Sequence, residues 1–120
     1  MEYQRLMMRQ QWADFFCEFD VLLCPVIPVT AIKHDHSEYI ERTIMVNGKV
    51  LNYSDVLLSW AGLTCVSYLP ATVVPVGPAQ NGMPVGMQVV GPYLEDKTAL
   101  HVARLIEESI GGFTPPPGFE

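Results

Sequence analysis

Between Glu2 and Phe19 the apolar side chains of Met8, Trp12, Phe15, Phe16 and Phe19 return every three or four residues, with Arg5, Arg9, Gln10, Gln11, Asp14 and Glu18 between them. That period predicts an amphipathic helix with one face in need of a partner. After Asp20, the continuous run Val21, Leu22, Leu23, Cys24 closes at Pro25 and reads as a short strand buried on both faces. Pro25 and Pro28 break regular pairing beyond it, and residues 25 to 43 show no period, so they are expected as an extended, partly exposed connection.

In "TIMVNGKVLNY", Asn47 and Gly48 separate two β-prone arms; both tolerate positive φ, which predicts a tight hairpin. Asn52 or Ser54 can cap a helix starting near Tyr53, carrying Val56, Leu57 and Trp60 and ending at Gly62. "ATVVPVG" and "VGMQVVG" then read as neighbouring central strands joined by a surface loop. From Asp96, the positions Ala99, Val102, Ala103, Ile106 and Ile110 form one helical stripe that stops at Gly111-Gly112, before a Pro-rich tail. Helices alternating with apolar strands point to an α/β layered fold. No repeat or linker divides the chain, so residues 1–120 are expected to form one domain or part of one.

Gly86 and Gly91 bracket the last apolar strand and mark places where another part of the chain must come close. Gln88 is the one amide inside that strand, and it needs hydrogen-bond partners, either neighbouring backbone or a loop that it braces.

These residues also carry a resemblance. "GMPVGMQVVGP" resembles the Gly-Leu-Pro-Val-Gly-x-Gln-x-x-Gly signature of the amidase signature family, with Met83 in place of Leu. "FDVLLCPVIPVTA", "YLPATVVPVG" and "DKTALHVARLIEE" are similar to that family's Asp-x-Leu-Leu-x-Pro-x-x-Pro segment, its Leu-Pro-Ala strand and its final helix, in the same order. The resemblance implies a mixed β-sheet flanked by helices and hydrolysis of carboxamides through a Ser, cis-Ser, Lys triad. In the family, the lysine and the Gly/Ser-rich nucleophile region precede the matched segments, and nothing in these residues corresponds to them. The chain therefore looks like the C-terminal portion of an amidase, silent by itself, whose partner is the missing N-terminal catalytic part.

Composition narrows the remaining classes. A formal net charge of -6, from 7 basic and 13 acidic residues, argues against a nucleic-acid partner. The apolar runs are far shorter than the roughly 20 residues of a membrane-spanning helix, so the expected setting is cytoplasmic, with no membrane partner. Cys17, Cys24 and Cys65 lie in apolar sequence and match no zinc spacing, so buried reduced thiols are expected.

Ser37, Ser54, Ser59, Ser67 and Ser109 lack a Gly-x-Ser-x-Gly elbow, and Lys33, Lys49 and Lys97 fall at loops or a helix start. Cys24 with His34 or His36 is the nearest imitation of a nucleophile pair, which leaves a small Cys/His hydrolase as an alternative. In an extended chain, His34 and His36 share one side and Asp35 takes the other, a poor metal cradle; no metal or other cofactor is expected. In the family the C-terminal part helps to wall the substrate channel. Trp60 and Tyr68, amphipathic groups beside turns, and Ile27, between two prolines, are the substrate-binding candidates. A second class of function is an oligomerising module, because a partial layered fold leaves strand edges and helix faces to be covered by self-association or by the missing half.

Overall fold

A computed structural model describes residues 2–119. Its elements are α1 (Glu2–Phe15), β1 (Leu22–Pro25), a 3-10 turn (Tyr39–Glu41), β2 (Thr43–Val46), β3 (Lys49–Asn52), α2 (Tyr53–Ser67), β4 (Ala71–Pro78), β5 (Pro84–Val90) and α3 (Asp96–Ile110). The main sheet has the order β1-β5-β4, antiparallel throughout, and β2 and β3 form a separate hairpin.

β5 is the middle strand, and its side chains alternate between two cores as the pleat requires. Val89 joins Val74, Ala99 and Ala103, with Val102 and Ile106 of α3 packed against them. Val90 points the other way and joins Cys24 and Leu69, against which Trp12, Phe16 and Trp60 pack. The chain is thus layered, with α3 on one face of the sheet and α1 and α2 on the other. Val89 and Val90 have no solvent exposure. Burying two such side chains is worth about 1.5–3 kcal/mol each.

Gly86, within β5, and Gly91, just after it, mark the two close approaches around this strand. A Cβ at Gly91 would lie 3.3 Å from Ala99 Cβ and 3.4 Å from the Ala99 nitrogen and the Glu95 carbonyl oxygen. A Cβ at Gly86 would lie 2.8 Å from Val73 Cγ1. The first approach sets the first turn of α3 against the end of β5. The second lets β4 cross close beside β5, next to the bulge between Pro75 and Gly77.

Local sequence accounts for the hairpin and for the start of α2. Asn47 and Gly48 have φ of 49° and 78°, the conformation expected of a two-residue turn. The Asn52 side chain accepts a hydrogen bond from the Ser54 backbone N–H, capping α2. The first helix ends its regular part at Phe15, and looser turns carry on to Phe19, whose N–H donates to the Phe15 carbonyl. The apolar stripe of α3 is buried at Ala99 and Ala103 and opens to solvent at Ile110.

Three expectations are corrected. The strand at Leu22–Pro25 is not buried on both faces: it lies at the sheet edge, where Leu23 is 48% exposed. Because it is an edge, it also admits Pro25 into the ladder, opposite Met87. The helix begun at Tyr53 runs through Gly62 to Ser67 and is stopped by Tyr68, a left-handed residue whose N–H donates to the Cys65 carbonyl. Tertiary burial of Val56, Thr64 and Ser67 outweighs the local glycine signal. β4, expected to be central, lies at the other edge of this sheet.

The molecule is a slab of 41 × 38 × 23 Å, with a Cα radius of gyration of 16.5 Å. A compact chain of this length would have about 14 Å. No residue of α1 is fully buried, and Leu6, Met7, Met8 and Phe19 remain exposed.

Gly62→Ala should stabilise the chain by about 0.4–1 kcal/mol, because the added methyl meets nothing within 4 Å and the backbone is helical. Gly91→Val should cost about 1–3 kcal/mol, because its neighbours are backbone atoms and a helical Cβ that cannot swing away. Urea denaturation of both variants checks the pair; a neutral Gly91→Val would refute the close approach of α3 to β5.

Candidate functional site

At the heart of the sheet, Leu22 faces Val90, Cys24 faces Gln88, and Val73 faces Gln88 from the other side. Gln88 is buried, and its Nε2 donates to Cys24 Sγ at 3.5 Å. The amide is therefore paired with a thiol rather than with neighbouring backbone or a loop. Burial pushes the Cys24 thiol up, and the hydrogen bond from Gln88 opposes that only in part. Cys17 and Cys65 are exposed, contrary to the expectation of three buried thiols: each sits on the solvent side of its helical segment. Cys17 Sγ donates to the Ala13 carbonyl at 3.3 Å.

The three substrate-binding candidates are not brought together. Ile27 is half-buried in the irregular segment after β1 and lines a cavity of about 350 Å³ with Val26, Pro28, Pro84, Val85 and Gly86. Trp60 is half-buried on α2 and packs on the cluster of Cys24, Leu69 and Val90. Tyr68 is 54% exposed at the end of α2 and lines a different cavity, with Leu69, Pro70 and Leu94. Its left-handed backbone turns the ring toward α1, where the Arg5 guanidinium lies 4.5 Å from the ring centroid.

Tyr68 belongs to a stack that sequence reasoning missed. Arg9 lies 5.6 Å from the Tyr68 ring and 4.1 Å from the Tyr93 ring, so that two arginines one helical turn apart alternate with two tyrosines from distant segments. In the sequence, Arg5 and Arg9 read as the solvated face of α1. The spacing of four was visible, but the partners, some sixty and eighty residues away, carry no local signal.

His34 and His36 stand with ring centroids 6.2 Å apart, beside a cavity of about 670 Å³ formed by residues 29–36 and the β2 strand. Asp35 accepts hydrogen bonds from the Ser37 N–H at 2.9 Å and from Ser37 Oγ at 2.6 Å, which hold its carboxyl below the usual range. Among the described residues, no group of three His, Cys, Asp or Glu side chains is placed to hold a metal ion. Serine hydroxyls are used locally: Ser59 donates to the Val56 carbonyl, and Ser54 donates to the Tyr39 hydroxyl at 2.9 Å. Lys49 opens β3 and Lys97 lies in the first turn of α3.

Comparison with known proteins fits this architecture. The family model described as Amidase matches residues 1–100. A glutamyl-tRNA(Gln) amidotransferase subunit from an Exiguobacterium species is 32% identical over 112 residues, covering 93% of this chain and 21% of that protein. Among solved structures, one of an amidase superposes with a TM-score of 0.75 at 24% identity, over 91% of this chain and 24% of that one. The corresponding glutamyl-tRNA(Gln) amidotransferase subunit from Thermotoga maritima gives a TM-score of 0.71 at 26% identity, over 97% of this chain and 24% of that one. The chain spans about a fifth of the length of the curated relatives it matches. With a three-layered α/β arrangement, the Gly-x-Gln strand at its centre and the family model spanning most of its length, the chain belongs to the amidase family and corresponds to the C-terminal part of its members.

Proposed function

We propose that these residues act as one partial domain of a cytoplasmic amide-bond hydrolase, supplying scaffold and, at three separate places marked by Ile27, Trp60 and Tyr68, parts of the substrate-channel wall. The nucleophile and the lysine belong to the N-terminal part of the parent fold, which is the partner that the exposed faces of α1 and β1 await. The observation that carries this reading is the uncovered apolar surface of a slab whose central strand is buried at Gln88, Val89 and Val90. Surface of that kind marks a binding face. The amide substrate is bound by the assembled enzyme, and the present chain does no chemistry alone.

The same surface supports a second reading, self-association into an oligomer, since β1 and β4 each leave one strand edge unpaired within the sheet described. A dilution-resistant monomer in sedimentation velocity would exclude it.

A cysteine hydrolase built on Cys24 is disfavoured on electrostatic grounds. An attacking thiol needs a lowered pKa, and this one is raised by burial. The sign of the linkage follows: the unfolded chain loses this proton at lower pH than the folded one. The contribution is complete below the unfolded thiol's pKa and is lost as pH rises through the folded value.

Two outcomes are expected. The purified chain releases no ammonia from a panel of aliphatic and aromatic carboxamides, and release appears when it is mixed with the N-terminal part of an amidase; hydrolysis by the chain alone, abolished by one substitution in it, would overturn the proposal. In thiol labelling at neutral pH, followed by mass spectrometry, Cys17 and Cys65 react about tenfold or more faster than Cys24. Equal rates would mean that the Cys24–Gln88 pair is not closed to solvent.

A further inference from the structure

A cavity of about 600 Å³ lies between α1 and the turn that leads into α3, lined among others by Arg9, Phe16, Asp20, Leu69, Tyr93 and Glu95. Its volume suits a small molecule. Arg9 is held there by the rings of Tyr68 and Tyr93, yet its Nε is buried with no hydrogen-bond partner, and neither ion pair among the described residues involves it. Arg5, one turn earlier, shows what a purely structural arginine looks like here: it donates from Nη1 to Glu2 at 2.7 Å and from Nε to the Val66 carbonyl at 3.1 Å. Aromatic stacking fixes the Arg9 plane with Nε turned inward, and no side-chain hydrogen bond or ion pair among the described residues uses its two terminal Nη groups, the pair that can recognise a carboxylate in bidentate fashion.

The cavity carries the opposite charge as well. Asp20 and Glu95 line it, neither takes part in an ion pair among the described residues, and among those residues the Glu95 carboxylate accepts one hydrogen bond, from Thr98 Oγ1 at 3.0 Å. A simple anion would meet two carboxylates, and a simple cation would meet Arg9. A ligand that carries both charges satisfies both. Phe16 and Leu69 offer an apolar wall for its side chain.

We propose that this cavity binds a small zwitterion of the free amino-acid type, its carboxylate on Arg9, its ammonium toward Asp20 and Glu95, and an apolar side chain against Phe16 and Leu69. The site shares no lining residue with the Ile27 cavity, and it stands whether or not the chain contributes to amide hydrolysis.

The test is a titration of the full chain, followed by amide chemical shifts, with three matched probes: L-leucine, 4-methylpentanoate, which lacks the ammonium, and 3-methylbutylamine, which lacks the carboxylate. Leucine should give saturable shifts around Arg9, Tyr93 and Thr98, with each half-ligand about tenfold weaker or more. Arg9→Gln should abolish leucine binding. Asp20→Asn, at an exposed position that leaves the stack intact, should weaken leucine severalfold and leave 4-methylpentanoate unaffected or improved. It carries the test if Arg9→Gln fails to fold. No saturable shift with leucine, 4-methylpentanoate binding as tightly as leucine, or leucine binding unchanged in Asp20→Asn would each overturn the proposal.

Discussion

β5 pairs on both edges, and its successive residues Gln88, Val89 and Val90 are buried toward opposite faces, so that it bonds the layers together through backbone and side chains at once. An isolated hairpin of β4 and β5 would be marginal in water. β1 and the two helical layers turn it into a folded centre. Gly91, just past the strand, lets α3 approach, Gly86 within it makes room for Val73 of β4, and Gln88 is tolerated in the middle because Cys24 accepts its hydrogen bond.

Away from that strand the structure thins. The aromatic residues of α1 and the turn after it stack among themselves, with Phe15 and Phe19 centroids 4.8 Å apart and Trp12 and Phe16 at 5.9 Å, but the helix buries no residue completely. Its hold on the rest of the fold comes from Trp12, with Phe16 just beyond the helix, on the cluster around Val90, from the arginine–tyrosine stack and from the Arg5 Nε hydrogen bond to the Val66 carbonyl. The flat shape and the half-covered helix leave apolar surface open, and it is this surface that the proposed partner layer would cover. Membership of the amidase family, at about a fifth of the relatives' length, gives that geometry its natural reading.

Much of the fold was legible in the sequence wherever a short-range rule decides the outcome. Asn47-Gly48 forced a hairpin, Asn52 capped a helix, and the period of Ala99, Val102, Ala103 and Ile106 placed a helix against the sheet. Legibility ended where burial depends on what lies across the fold. Nothing local distinguishes Leu23 on an open edge from a core leucine, or an exposed Cys65 from a buried Cys24. Gly62 carried a stop signal that α2 overrode by packing, and Tyr68 took the left-handed role that a glycine would usually fill. Residue type and flanking turns single out Ile27, Trp60 and Tyr68 as pocket candidates, and the fold puts them in separate surroundings. Nothing local marks Arg9, because its partners Tyr68 and Tyr93 are remote in sequence.

The central claim is a stable β5 centre with a periphery that needs covering, and native-state hydrogen exchange of the chain alone tests it most directly. The account predicts the slowest exchange at Gln88, Val89 and Val90 and in the buried turns of α3, with α1 and the β2–β3 hairpin exchanging orders of magnitude faster through local opening. Protection of α1 equal to that of β5 would contradict it, because the helix would then be held as firmly as the core by contacts within these residues alone.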